Sequence, residues 1–140
     1  MKITKVETIL AHKYLFVRIY TDAGICGLGE SGTWGYLKAS AIAIETMKEY
    51  LIGQDPLKIE HHWQYLYRWS HFRGAAIMGA ISAIDIALWD IAGKHLNVPC
   101  YQLMGGKCRD KVRVDHHVRG ATKPALMEGC KRVISEGYTA

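Results

Sequence analysis

No apolar run in the sequence is long enough to span a bilayer. The longest nearly uninterrupted one, Ala75 to Ile84, ends at Asp85 after about half of the roughly 20 residues a spanning helix needs. This argues against a membrane partner. No signal peptide is expected either, because Lys2, Lys5 and Glu7 leave no room for its apolar segment. The four cysteines, Cys26, Cys100, Cys108 and Cys130, form no CxxC pair, and a chain of this length does not need disulfides. They read as reduced thiols in a cytoplasmic protein. There is no polar tract, low-complexity segment or internal repeat, and four Trp and eight Tyr argue against disorder. Charge of one sign is never concentrated. The net charge is +5, yet the densest basic stretch, Lys107, Arg109, Lys111 and Arg113, alternates and is broken by Asp110. That spacing suits a solvated strand entry, and nucleic acid is not an expected partner.

What is present is one domain's worth of alternating strand and helix signals in 140 residues. Residues 3–12 and 15–21 alternate and are rich in Ile, Val, Thr and Tyr, with a tight turn expected at Lys13-Tyr14. Thr21-Asp22-Ala23-Gly24 supplies a second turn, and Ile25 to Leu28 a third strand. Ala39, Ile42, Ala43, Met47 and Tyr50 then recur at helical spacing, and Gly53 stops that helix. Asp55-Pro56 reads as the N-cap and first position of the next, with a stripe of Ile59, Trp63 and Leu66. The clearest helix carries Ile77, Ile81, Ile84, Leu88, Ile91 and His95 on one face and ends at Asn97-Val98-Pro99. A strand is expected over 111–118 and a helix over 122–136, with the stripe Leu126, Cys130, Val133 and Ile134. A lone βα unit cannot bury both faces, so the chain reads as opening a domain larger than itself.

Several motifs could carry chemistry. Gly27-Leu28-Gly29-Glu30-Ser31-Gly32 matches GxGxxG, but the preceding strands are antiparallel and the residue about 20 positions on, Glu49, lies inside a helix. The glycines are read as permitting a tight strand exit. Asp85 and Asp90 sit in the most apolar helix and are expected to hold a neighbouring backbone or arginine. His61 and His62 are adjacent and point apart, so they lack the i, i+4 spacing of a metal pair. His116 and His117 are adjacent on the late strand, one to each face.

Four stretches together resemble the enolase superfamily, in its mandelate racemase and muconate lactonizing enzyme branch, and within that its sugar-acid dehydratases. Met1-Lys2-Ile3-Thr4 opens the first strand; residues 21–30, TDAGICGLGE, look like the family's hairpin. Residues 83–94, AIDIALWDIAGK, look like its IDxALWDixGK helix, and residues 99–106, PCYQLMGG, like its PxxxLxGG turn. The resemblance covers essentially the whole chain.

It implies an α+β fold: a capping domain over residues 1–110, with a three-stranded antiparallel meander plus helices, then over 111–140 the first βα unit of a TIM-type barrel. Family members continue for roughly 250 residues more. Their magnesium ligands and acid/base groups lie there, so neither catalytic nor metal-binding residues are expected in this chain. Magnesium is implied as the cofactor of the whole protein, where it stabilises the enediolate formed when a base removes the proton next to a carboxylate. This chain would supply substrate enclosure. The positions matching the family's substrate-facing loops are the turn bearing Tyr14, the segment Ser31 to Gly35 with Trp34, Ser70 to Gly74 with Arg73, and, on the barrel strand, His117. Mannonate dehydratase-like members share a His where His117 stands but carry Asn in place of Trp34. Galactonate dehydratase-like members share Leu51 to Pro56 but carry Trp in place of His117. The partner implied is a small anionic sugar acid, and the whole protein is expected to be a homo-oligomer. Racemase or cycloisomerase chemistry on the same scaffold shares every motif here. A free-standing basic module binding an anionic polymer is the non-enzymatic alternative.

Overall fold

Side-chain alternation decides which way the sheet faces. In a computed structural model of the protein, which describes residues 1–139, the strands are β1 (Ile3–Ala11), β2 (Tyr14–Thr21) and β3 (Cys26–Ser31). They pair antiparallel in the order β1-β2-β3. Leu15, Val17, Ile19 and Thr21 of β2 are buried on one face, while Phe16, Arg18 and Tyr20 point to the other. The inner face carries three helices: α1 (Leu37–Leu51), α2 (Ile59–Trp69) and α3 (Ala75–Leu96). Helix α3 lies across β3 and β2, α1 packs on β1 and α3, and α2 packs on α3. One core joins them, with Leu15, Val17 and Ile19 meeting Ile44, Met47, Leu66, Ile81, Ile84 and Leu88. A four-residue α4 (Cys100–Leu103) follows, and these elements form one compact unit, Met1–Gly106.

The outer sheet face is held by polar ladders. Glu7 stands opposite Arg18, accepts from Lys5 Nζ at 2.8 Å and from Tyr20 Oη at 2.8 Å. The Lys5 ammonium, then the Tyr20 hydroxyl, hold the Glu7 carboxyl below its ordinary range. The free edge of β3 is covered from α3. Asp90 Oδ2 accepts from the Leu28 N–H at 2.9 Å, and Lys94 Nζ donates to the Cys26 carbonyl at 2.8 Å and to Asp90 at 2.7 Å. Asp90 thus holds a neighbouring backbone, as the sequence suggests. Among the described residues Asp85 has no such backbone bond; burial, then the charge of Glu60, pushes its carboxyl above its ordinary range, against a hydrogen bond with the Trp89 side chain. Asp90→Ala is expected to cost about 1 kcal/mol, and Asp90→Asn, which keeps an acceptor for Leu28, about half that. Urea midpoints of the two variants check this, and equal losses would show that the strand-edge bond contributes nothing.

His62 is the buried histidine of this unit. Its Nε2 donates to the Asp55 carbonyl at 2.8 Å, which fixes the tautomer, so Nδ1 accepts from Tyr50 Oη at 2.8 Å. Burial pushes the imidazole below its ordinary value, outweighing the Asp55 carbonyl, which favours the protonated ring. Between the lowered folded value and the ordinary one near 6.5, the unfolded chain binds more protons. Stability from His62 is therefore complete above about pH 6.5 and falls as pH drops through the folded value. The difference in urea midpoint between pH 7.5 and pH 5 is expected to shrink in His62→Gln. An unchanged difference would assign the acid sensitivity elsewhere.

Several sequence expectations shift. The first turn is His12-Lys13, with His12 at φ 54°, and Tyr14 already belongs to β2, opposite Ala11. The third strand runs Cys26–Ser31, not Ile25 to Leu28. Asp55 does not cap α2 directly. Its side chain accepts from Leu57 N at 3.1 Å and its carbonyl from Lys58 N at 3.2 Å, making a separate turn before α2 opens at Ile59. Gly53, at φ 81°, ends α1 as expected and donates to the Ile3 carbonyl at 2.8 Å. Among the described residues, α3 is the one helix long and apolar enough by length and composition to cross a membrane, which the run ending at Asp85 concealed. Half of that stretch is buried inside the protein, where α3 serves as the core helix.

The second unit begins at Lys107. Its helix α5 (Lys123–Ser135) is capped by Thr122, whose Oγ1 accepts from Ala125 N at 3.4 Å. The strand expected over 111–118 is not formed: among the described residues it has no strand to pair with, and an unpaired segment cannot close a ladder. Of the α5 stripe only Val133 is buried; Leu126, Cys130 and Ile134 are exposed.

Candidate functional site

Three loops of the first unit carry Trp34 and Arg73 and adjoin Tyr14, three of the four residues singled out from sequence. The hairpin tip His12-Lys13 joins β1 to β2, residues 32–36 join β3 to α1, and residues 70–74 join α2 to α3. The latter two meet at the start of α3, where Thr33 Oγ1 donates to the Ala75 carbonyl at 3.1 Å. Ser40 Oγ, from the first turns of α1, donates to the Ala76 carbonyl at 2.9 Å. These bonds anchor the 32–36 segment without using its aromatic side chains. Trp34 is 72% exposed and Tyr36 66%.

The hairpin tip and the 32–36 segment enclose an open cavity of about 710 Å³, walled by Leu10, Leu37, Trp34 and Tyr36, with His12, Lys13 and Lys38 at its polar positions. Lys13 bridges the two loops. Its Nζ lies 5.5 Å from the Tyr14 ring centroid and 5.9 Å from that of Trp34. Tyr14 and Trp34 are therefore gathered around one cation, while Tyr14 itself starts β2 beside Phe16 at 6.2 Å between rings.

Arg73 is placed apart from that cavity. Its Nη1 donates to the carbonyls of Tyr67 at 2.8 Å and Ser70 at 3.2 Å, and its guanidinium lies 3.9 Å from the Tyr67 ring centroid. These contacts engage Arg73 in closing the end of α2. His117 belongs to the second unit. Its Nε2 is 3.8 Å from Asp115 Oδ2 and its side chain is 89% exposed. The residues that sequence reasoning passed over are His12, Tyr36 and Lys38. The hairpin brings His12 to Trp34 across more than twenty residues of chain, and only the position of Tyr36 and Lys38 just after Trp34 hinted at their part.

Among the described residues, no group of three or more His, Cys, Asp or Glu comes together to hold a metal ion. The chemistry on display is recognition: aromatic walls, two ammonium groups and an imidazole. Residues 2–105 match the family described as mandelate racemase / muconate lactonizing enzyme, N-terminal domain. The chain is 42% identical over 141 residues to a D-galactonate dehydratase of Verminephrobacter eiseniae, and 44% identical over 140 residues to that of Pectobacterium atrosepticum. Each alignment covers 99% of this chain and 37% of the relative, so the chain spans little more than a third of their length. A solved enolase from Pantoea ananatis, with bound D-gluconate and magnesium, superposes at a TM-score of 0.89 with 36% identity, over 98% of this chain and 35% of that one.

Proposed function

Because the chain belongs to the mandelate racemase / muconate lactonizing enzyme family, we propose that the whole protein carrying it is a sugar-acid dehydratase, a hydro-lyase to which this chain supplies the cap. The observation that carries the reading is a likeness to D-galactonate dehydratases kept over nearly all of the chain. The reaction removes the proton next to a carboxylate. Its electron pair passes into the carboxylate as an enediolate, then returns to expel the β-hydroxyl, which leaves as water once an acid protonates it. The enol that remains becomes a 2-keto-3-deoxy acid.

The described residues offer no cluster to hold magnesium, so the metal of this reading would be held outside them. The chain's own task is enclosure. Trp34 and Tyr36 give apolar walls against the C–H faces of a sugar acid, and Lys13, Lys38 and His12 give donors. A closed cap that excludes water strengthens every charge interaction beneath it. His117, Tyr14 and Arg73 complete the proposed substrate-facing set, although Arg73 would first have to leave its carbonyl partners. We place the enzyme in the cytoplasm, as a homo-oligomer.

The test is incubation of the whole protein, with magnesium, against a panel of six-carbon sugar acids in D2O. A 2-keto-3-deoxy product from at least one of them is the expected result. Deuterium entering next to the carboxylate without loss of water would move the reading to a racemase. No product and no exchange with any acid would end it.

A further inference from the structure

We infer that the aromatic ridge of Tyr65 and Trp69 on α2 is a two-fold interface, on which a second copy of this chain docks in the whole protein. The inference rests on the homo-oligomer placement above, owes nothing to the dehydratase chemistry, and adds the face and its pairing.

The ridge is apolar and uncovered within its unit. Tyr65 and Trp69 stand one helical turn apart, 41% and 51% exposed. Tyr65 is braced from α1, its ring stacked on that of Tyr50 with 3.8 Å between centroids. A groove runs along each side. The groove toward α1 reaches down to the buried Met47 and Leu66 and carries one acid, Glu49. The groove on the other side carries the bases His61 and Arg68. The face is therefore acidic on one flank of the ridge and basic on the other. Among the described residues neither Glu49 nor Arg68 has an ion-pair partner.

That order of charges selects the occupant. If a second copy lays its ridge in the groove toward α1, a two-fold axis between the ridges places this chain's ridge in the same groove of the partner. The partner's Arg68 then comes against Glu49, and Arg68 against the partner's Glu49. Each contact is made twice, as an isologous interface requires. Seating the ridges in the other groove would bring the two basic flanks together, so charge fixes the register as well. An unrelated partner has no reason to match an acid and a base on opposite flanks of one ridge, whereas a copy of the same face does so by symmetry.

The experiment is sedimentation of the whole protein over falling concentration. Arg68→Glu and Glu49→Arg are each expected to raise the dissociation constant about tenfold or more, because each sets like charges together at two places. The double variant restores opposite charges and is expected to return it to within about threefold of the parent. Trp69→Ala is expected to weaken association about as much as either single reversal. Lys5→Glu, a reversal on the outer sheet face, is the control and should leave the mass unchanged. An oligomer indifferent to Arg68→Glu and Trp69→Ala, or a double variant no better than the single ones, overturns the inference. So does a lowered melting temperature at unchanged mass, which would mean that the protein's own further length covers the ridge. A whole protein that is monomeric throughout overturns the interface and the homo-oligomer placement together, and turnover of a sugar acid tests the dehydratase reading separately.

Discussion

Gly29→Ala is expected to lower the melting temperature by about 10 °C, a loss of roughly 3 kcal/mol. Gly29 and Gly27 are buried on the inner face of β3, two residues apart, and the backbone of α3 rests directly on them. A methyl group at Gly29 would land on the Ala83 carbonyl oxygen, 2.9 Å from the Ala83 carbonyl carbon and 3.0 Å from Ala87 N. At Gly27 it would land on the Ala87 carbonyl oxygen and 2.7 Å from Ile91 Cγ1. The obstacle is helix backbone, which cannot swing aside as a side chain can. Relief requires moving α3 off the sheet, and α3 is the helix on which the whole core is assembled. Ala83 and Ala87 are one helical turn apart and equally small, so the strand's glycines and the helix's alanines form a matched surface. Gly32 supplies the internal control: nothing lies within 4 Å of a methyl group there, and Gly32→Ala is expected to melt as the parent does. A thermal melt of the three proteins decides it, and a Gly29→Ala protein melting within a degree or two of the parent would refute close helix–strand contact as the reason for glycine.

The same glycines show where sequence reading stops. Antiparallel strands precede their motif, so it lacks the parallel strand-to-helix setting of a dinucleotide fingerprint. The reason glycine is needed, however, is a contact with residues more than fifty positions away, which no local pattern contains. Elements whose signal is their own period were legible. The alternation of β2 and the apolar face of α3 announce strand and helix because burial on one side leaves that trace. Boundaries set by single hydrogen bonds were not. Asp55 has the chemistry of a cap and spends it on a turn ahead of α2. The hairpin tip sits one residue earlier than expected because His12 takes up a positive φ. The segment 111–118 has strand composition and no strand, since β structure needs a partner as well as a propensity.

The candidate site was legible in part for a related reason. Trp34 stands out in sequence as a large aromatic just past a glycine-rich strand exit, and Tyr14 as an aromatic at a hairpin. Lys13, Lys38 and His12 are ordinary surface residues until the fold places them around one cavity. Arg73 has the opposite history. It looks free in a loop, and its donors turn out to be spent on the carbonyls that end α2.

Under the proposed dehydratase reading, Trp34→Ala and His117→Ala in the whole protein are each expected to lower kcat/KM for the preferred sugar acid about tenfold or more, with little change in melting temperature. For Trp34 the argument starts from what the ring does not do. It is 72% exposed in its unit, its segment is anchored by Thr33 and Ser40 rather than by the indole, and the Lys13 ammonium lies 5.9 Å from its ring centroid. Truncation therefore removes little packing in this unit. It does remove the flat apolar wall of the cavity and one of the two rings beside which Lys13 is held. Both losses fall on a bound ligand, and Trp34→Phe, which keeps a ring, should recover part of the rate. The His117 side chain is exposed too, in its own unit, with Asp115 Oδ2 3.8 Å from its Nε2. Its replacement likewise removes no packing among the described residues, so a loss of rate with an unchanged melt would point to contact with substrate. The opposite pattern would mark both as residues that hold the protein together: a melting temperature lowered by several degrees, with normal kinetics in the molecules that stay folded. Kinetics and melting measured on each variant separate these cases residue by residue, and unchanged kinetics in both would remove Trp34 and His117 from the substrate's surroundings.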